Sequence, residues 1–299
     1  MKKNIWNQFW KENQKNNLLK VFFAKKFLSV FFKKNPEIEI SDIDWLLALT
    51  LKINRSELPI CHGITFEIWK KIEKKSKERL QGKPISIIFG STNFYGLNLK
   101  VNSNVLSPRP ETEELVSFAL KNAKYFSYPS VLDLCTGSGA IAIAIKKNYP
   151  TSNVTATDIS SKALYIAKKN AFLNDCEIKL IKSDMFSSLP KDKKYHIILS
   201  NPPYLKSEEL KEISKEVVDY EPSLALDGGK SGLKFYENIA LNVSKFLHND
   251  GILIMEIGYK QEEEVKNIFK KHFEIVNCYK DVFNNPRIVI CEKLNQRKI

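Results

Sequence analysis

From Ser130 onward, short apolar runs of strand length alternate with amphipathic runs of helix length, and no other feature constrains the fold as much. Strand-like Ser130 to Leu134 leads to a helix over Gly139 to Lys147, and Asn153 to Thr157 leads to one over Ser161 to Leu173. Strands Ile178 to Ile181 and Tyr195 to Ser200 follow. A helix over Leu233 to Leu247, a turn at Asn249-Asp250-Gly251, a strand over Ile252 to Ile257, a helix over Glu262 to Lys271 and strands over Ile275 to Tyr279 and Arg287 to Cys291 complete the series. Parallel neighbours need a crossover between them, so the alternation predicts an α/β fold with a doubly wound, mostly parallel, seven-stranded sheet. The last two strands lack an intervening helix and are expected to pair antiparallel.

The first 82 residues read differently. Trp6, Phe9 and Trp10, then Leu18, Leu19, Phe22 and Phe23, then Trp45, Leu46 and Leu49, then Ile68 and Ile72 fall at helical spacing, which predicts a small helical bundle with these side chains as its core. Ser41-Asp42 or Asp44 is the expected cap of a helix through Leu51. Lys70 to Lys77 reads as a solvated helix face, and Gly82-Lys83-Pro84 ends the helix and the domain. Between residues 83 and 105, β-like pieces at Ile85 to Phe89 and Leu97 to Val101 suggest a β-hairpin linker. A helix over Glu111 to Lys121, with Pro at its first position, opens the domain of residues 106–299.

Charge and cysteine usage narrow the function classes. Of the formal +13, +8 lies in residues 1–82. Such a balance permits contact with nucleic acid or a ribonucleoprotein, although Lys, Asn and Ile are abundant throughout, as codon bias would also make them. Five scattered cysteines without a CxxC pair, and four histidines, argue against a disulfide framework or structural zinc, and no metal is expected. No apolar run of membrane-spanning length occurs, and Met1 to Gln14 has no uncharged apolar core of a signal peptide. A cytoplasmic protein is the expectation.

Two features at strand ends carry chemistry. Val131 to Gly139 (VLDLCTGSG) is a strand running into a glycine turn at the mouth of a helix, and Asp158 ends the next strand, where a carboxylate can accept both hydroxyls of a ribose. This pair suits NAD as well as S-adenosylmethionine, but Ala142 stands where a dinucleotide GxGxxG would place its third glycine. Asn201-Pro202-Pro203-Tyr204 follows a third apolar strand and so faces the turn from the same sheet edge. Two prolines stiffen that loop and remove backbone donors, leaving acceptors: the Asn201 side-chain oxygen and the Pro202 carbonyl can hold both N–H bonds of a planar NH2 group while Tyr204 covers its face.

These residues resemble the class I S-adenosylmethionine-dependent methyltransferases with a Rossmann-like sheet, and among them the NPPY branch that methylates exocyclic or amide nitrogens. Phe94 to Leu97 (FYGL), Val105 to Glu113 (VLSPRPETE), Asp133 to Gly139, Ser183 to Phe186 (SDMF), Asn201 to Tyr204, Glu221-Pro222 to Gly228-Gly229 and Gly232-Leu233 follow the order and spacing of the HemK/PrmC family. The resemblance covers roughly residues 83–292 and extends to the N-terminal segment only in type and position. It implies methylation of the glutamine in the GGQ motif of peptide chain release factors, with S-adenosyl-L-methionine as cofactor, no stable binding to nucleic acid or membrane, and a monomer. Carried over by position, Cys135, Thr136, Gly137, Ser138 and Gly139 wrap the methionine moiety, Asp158 the ribose and Met185 the adenine region. Asn201 touches cofactor and substrate, and Asn201, Pro202, Pro203 and Tyr204 hold the substrate glutamine. Cys135 stands where the family commonly has glycine, and Met185 where it commonly has an aromatic residue; Met packs on adenine through its polarizable sulfur. Arg109 and Glu111 read either as cofactor neighbours or as a helix-terminal pair. The bundle, which holds no catalytic constellation, is the expected recognition domain for the protein substrate. Two rivals stay open here: a DNA or RNA methyltransferase that flips a base into the same pocket, and a catalytically dead scaffold.

Overall fold

The computed structural model describes residues 4–295 except 34, 36, 37 and 214; the outermost parts of the two expected domains, 1–3 and 296–299, lie outside the described residues. The chain forms two compact units, residues 1–89 and 90–299.

The first unit contains α1 (Ile5–Asn13), the short β1 (Gln14–Lys15) and β2 (Leu18–Leu19), α2 (Val21–Phe32), α3 (Ile40–Leu51), α4 (Phe66–Leu80) and α5 (Ile85–Phe89). Its core gathers Trp6, Leu28, Leu46, Trp69 and Ile72, as the helical spacing requires. The Trp69 indole N–H donates to the Trp6 carbonyl (3.0 Å), so the largest buried ring keeps its polar edge satisfied. Helix α3 starts one residue after Glu39, without a side-chain cap. Asp42 instead pairs with Arg79 of α4 (2.9 Å) and Asp44 with Lys25 of α2 (2.7 Å), so the acids expected to cap this helix join it to its neighbours. The Lys70 to Lys77 run is not wholly solvated: Glu73 is buried within it, held by Lys70 (3.0 Å) and Lys77 (2.7 Å).

Two expectations around the boundary are corrected. Ile85 to Phe89 is a turn of helix rather than a strand, because Ile85 packs on the bundle core and the Ile88 N–H donates to the Pro84 carbonyl (2.9 Å). The units therefore divide at Phe89/Gly90 rather than at Gly82. The hairpin is formed by β3 (Ser91–Phe94) and β4 (Leu97–Lys100) around Tyr95 and Gly96, both at positive φ as a two-residue hairpin turn requires. It belongs to the second unit instead of linking two: Phe94 and Leu99 are buried in one core with Val116 and Ile143.

In the second unit follow α6 (Thr112–Ala123), β5 (Ser130–Leu134), α7 (Ala140–Asn148), β6 (Asn153–Asp158), α8 (Ser161–Leu173), β7 (Lys179–Lys182), β8 (Tyr195–Ser200), α9 (Lys215–Tyr220), α10 (Lys234–Phe246), β9 (Leu247–Glu256), α11 (Glu262–Phe269), β10 (Phe273–Lys280) and β11 (Pro286–Leu294). The seven-stranded sheet has the order β10-β11-β9-β8-β5-β6-β7. Strands β9, β8, β5, β6 and β7 run parallel, and β11 pairs antiparallel with both β9 and β10. Alternate side chains feed two cores, Val131, Ile197 and Ile254 on one face and Leu132, Ile198 and Leu253 on the other, which is why these strands read as continuous apolar runs. The expected turn at Asn249-Asp250-Gly251 is absorbed into β9, where pairing jumps from Tyr195↔Leu247 to Ile197↔Ile252 as a bulge. The chain order reverses about β5, which has β6 on one side and β8 on the other, and a crevice opens at the carboxyl ends of those strands. No helix among the described residues is long and apolar enough to cross a membrane.

Candidate active site

Strand β5 ends in a turn whose residues Cys135, Gly137 and Gly139 all have positive φ (60°, 55° and 81°). Asp133, fully buried one residue before the strand end, organises it. Its Oδ2 accepts from the Thr136 hydroxyl (2.6 Å) and from the Ala142 N–H (3.2 Å) in the first turn of α7. Burial pushes its carboxyl up to about 7. At Gly139 a Cβ would stand 3.0 Å from the Ala167 Cβ, so the missing side chain lets α7 approach α8. A Cβ at Gly137 would meet nothing within 4 Å, because that residue faces the crevice.

Asp158 closes the far side. Its Oδ2 accepts from the Gly137 N–H (2.9 Å) and its Oδ1 from the Ser160 N–H (2.8 Å), so one carboxylate spans the ends of β5 and β6. Burial raises its pKa against these backbone donors. Each oxygen keeps a lone pair for the pocket that Asp158 lines. Asp158→Ala is expected to weaken methyl-donor binding by about 1–3 kcal/mol, the worth of a hydrogen bond to a charged group. The fold should survive, since Ser160 Oγ still accepts from the Ala163 N–H at the start of α8. Unchanged affinity in calorimetry would remove Asp158 from the site.

From β8, Asn201 reaches the same crevice. Ser200 Oγ donates to the Leu134 carbonyl (3.0 Å) and fixes the two strand ends together. The Asn201 NH2 donates to Glu256 Oε2 (2.9 Å) and to Thr112 Oγ1 (3.2 Å), which turns the opposite end of the planar amide, Oδ1, away from these two partners. Tyr204 is held through its backbone carbonyl, which accepts from Gln261 Nε2 (3.0 Å); burial pushes its phenol up to about 12, so it stays neutral. Behind the loop, a Cβ on Gly228 would lie 2.9 Å from the Pro203 carbonyl oxygen, and the backbones touch there.

Of the residues expected from the sequence, Cys135, Gly137, Asp158, Met185, Asn201 and Pro203 line one pocket. Thr136, Ser138 and Gly139 do not line it and support the turn from behind; Pro202 is buried and Tyr204 half-buried beside it. Cys135 and Met185, the two departures from the family pattern, touch through their sulfurs at 3.5 Å, and both sit at positive φ. A site where a side chain must adopt that conformation is one where glycine is the unstrained choice.

Sequence reasoning did not find the outer wall, where Leu106 faces Pro222, Leu224 and Phe235. Nor did it assign Arg109, which pairs with buried Glu221 (2.7 Å) while the Ser107 N–H donates to the other Glu221 oxygen (3.3 Å). That clasp ties the segment before α6 to the Glu221-Pro222 segment, two stretches the family motifs had already marked. Glu111 is the residue before α6 and makes no side-chain cap.

The residues fit S-adenosylmethionine. Leu106, Ile159, Met185, Leu224 and Phe235 give apolar walls for a flat base, Asp158 offers acceptors for a ribose, and the open backbone of Gly137 admits a charged tail.

Comparison with known proteins agrees. The family described as methyltransferase small domain matches residues 114–233. The release factor glutamine methyltransferase of Flavobacterium psychrophilum is 39% identical over 282 residues, covering 89% of this chain and 95% of its own. That of Fusobacterium nucleatum is 36% identical over 271 residues, covering 88% and 76%. Among solved structures, a methyltransferase from Pyrococcus furiosus superposes with a TM-score of 0.51 at 18% identity, over 74% of this chain and 98% of that one, which concerns the fold alone. Similarity of this degree along most of both chains, joined to the glycine turn, Asp158 and the Asn201 loop at one sheet edge, makes the chain a member of the release factor glutamine methyltransferase family, an S-adenosylmethionine-dependent methyltransferase.

Proposed function

We propose that this enzyme methylates the side-chain amide nitrogen of the glutamine in the GGQ motif of peptide chain release factors. The observation that carries the reading is the orientation of Asn201: its NH2 is turned to Glu256 and Thr112, so the other end of the amide, an acceptor oxygen, is what it offers the pocket. An acceptor there selects a substrate that donates N–H, and Pro203 beside it has no N–H to compete. When bound, the cofactor supplies an electrophilic methyl on a sulfonium. The chain's own part is to present the amide. Its nitrogen is a weak nucleophile because the lone pair is delocalised, so holding the N–H bonds at Asn201 and the Pro202 carbonyl, in a near-attack alignment, must supply the rate. Tyr204, neutral, covers the face of the amide.

The helical unit, which contributes no residue to the pocket, is read as the recognition domain for the release factor. Its positive charge is read as serving that protein partner, with no stable nucleic-acid binding, and the enzyme as a monomer. Such a substrate places the enzyme in the cytoplasm, where translation terminates. Incubation with methyl donor and a release factor, followed by mass analysis of the GGQ peptide, should yield one added methyl, and none in a GGA variant. Methylation that persists in the GGA variant would refute the assignment.

A further inference from the structure

We propose that Glu256, together with Thr112, is a positioning pair that sets which end of the Asn201 amide faces the substrate. The inference rests on the glutamine reading given above and adds residues to it. An asparagine amide is nearly symmetric in shape, and its two ends differ only in hydrogen bonding; if it turns over, it offers the substrate a donor where an acceptor is needed. Nothing within the Asn201-Pro202-Pro203-Tyr204 loop decides between the two orientations. The decision comes from two distant elements. Glu256, at the carboxyl end of β9, places Oε2 2.9 Å from Asn201 Nδ2, and Thr112, at the start of α6, places its hydroxyl oxygen 3.2 Å from the same nitrogen.

The pair is internally consistent. The Thr112 hydroxyl has one proton and donates it to Glu256 Oε2 (2.6 Å), which leaves its lone pairs for the Asn201 NH2. Burial pushes the Glu256 carboxyl up to about 7; when it is ionised, both partners of Nδ2 are acceptors, and an Asn201 carbonyl turned toward them would face two oxygens with no proton to give. Glu256 and Thr112 are both buried, so water cannot stand in for either. Tyr236 holds the Glu256 backbone from below, its hydroxyl donating to the Glu256 carbonyl (3.0 Å), which fixes the height of the carboxylate at the sheet edge. Neither Glu256 nor Thr112 lines the pocket, so they act on the substrate through Asn201 alone.

The test measures donor affinity and single-turnover methylation of an intact release factor for the full-length enzyme and its Glu256→Leu, Glu256→Gln and Thr112→Val variants. Glu256→Leu is expected to lose about 10²-fold in methyl transfer, the scale of a misplaced reacting group, with donor affinity changed less than about threefold. Glu256→Gln can turn its own carbonyl to the same place and should regain at least tenfold of that loss. In an Asn201→Ala background, Glu256→Leu should cost less than about twofold more, since residues that act through one another are not additive. Should Glu256→Leu fail to fold, Thr112→Val provides the same comparison with one methyl group exchanged for the hydroxyl. Full activity of Glu256→Leu and Thr112→Val beside an active wild type would overturn the positioning role and leave the glutamine reading intact, as would losses that simply multiply in the double variant. A wild-type enzyme that does not methylate the release factor would overturn both.

Discussion

Asn201→Ala is expected to lower methylation of the release factor by about two orders of magnitude or more, while donor affinity falls far less. The alanine removes the only side-chain acceptor of the Asn201-Pro202-Pro203-Tyr204 loop that is aimed into the pocket, and the Pro202 carbonyl alone leaves the substrate amide free to rotate away from the methyl. The glycine turn and Asp158 stay in place, because their bonds run between β5 and β6 and do not pass through Asn201. Asn201→Asp should be at least as damaging, for a reason visible only in the structure. It keeps an acceptor of nearly the same shape, yet it sets a carboxylate where an NH2 now lies 2.9 Å from the buried Glu256 carboxylate. Two carboxylates at that distance cannot both be ionised, so one takes up a proton or the loop moves. Donor binding should therefore be worse in the Asp variant than in the Ala variant. Calorimetry with the donor and single-turnover methylation of the release factor separate the two effects. Near-normal turnover by Asn201→Ala would end the acceptor mechanism.

A truncation beginning at Gly90 is expected to keep donor binding and lose activity toward the intact release factor by about 10²-fold, the scale on which a second contact site raises effective concentration. Every pocket residue lies between Asn104 and Phe235, inside a unit with its own two cores. The bundle meanwhile leaves Phe22, Val30, Ile40 and Ile60 each more than two-thirds exposed, besides its excess of lysine and arginine. A short peptide carrying the GGQ sequence should be methylated equally by the truncated and full-length enzymes. If the truncated enzyme methylates the intact factor at the full rate, the bundle does not recognise it.

Much of the site was legible because a parallel sheet delivers the carboxyl ends of its strands to one edge. The glycine turn after Leu134, Asp158 and Asn201 each follow a run of strand length, so recognising the runs was enough to bring them together. Ile85 to Phe89 was misread because five residues, four of them apolar, carry too few periods to tell a strand from a helical turn; the packing of Ile85 on the bundle decided it. The Asn249-Asp250-Gly251 turn signal was genuine local chemistry, expressed as a bulge inside β9, where the register with β8 skips from Leu247 to Ile252. Thr112 and Glu256 were unreadable for another reason. They are 144 positions apart and meet only after the sheet has formed, so no local pattern announces either one. The Arg109–Glu221 clasp spans 112 positions and was hidden in the same way, even though both residues stood in motifs already marked.

The sheet order also has a kinetic consequence. Leu134 and Ser200 are 66 positions apart yet lie side by side, so the pocket is assembled entirely from non-local pairings, whose loop-closure cost slows folding. The helical unit takes most of its backbone hydrogen bonds from helices, which close locally, and all four tryptophans of the chain, Trp6, Trp10, Trp45 and Trp69, belong to it. Intrinsic tryptophan fluorescence therefore watches one half of the molecule and donor binding the other. In refolding from denaturant, fluorescence should recover first and donor binding after it, so a sample that looks native by its tryptophans can still be without a working site.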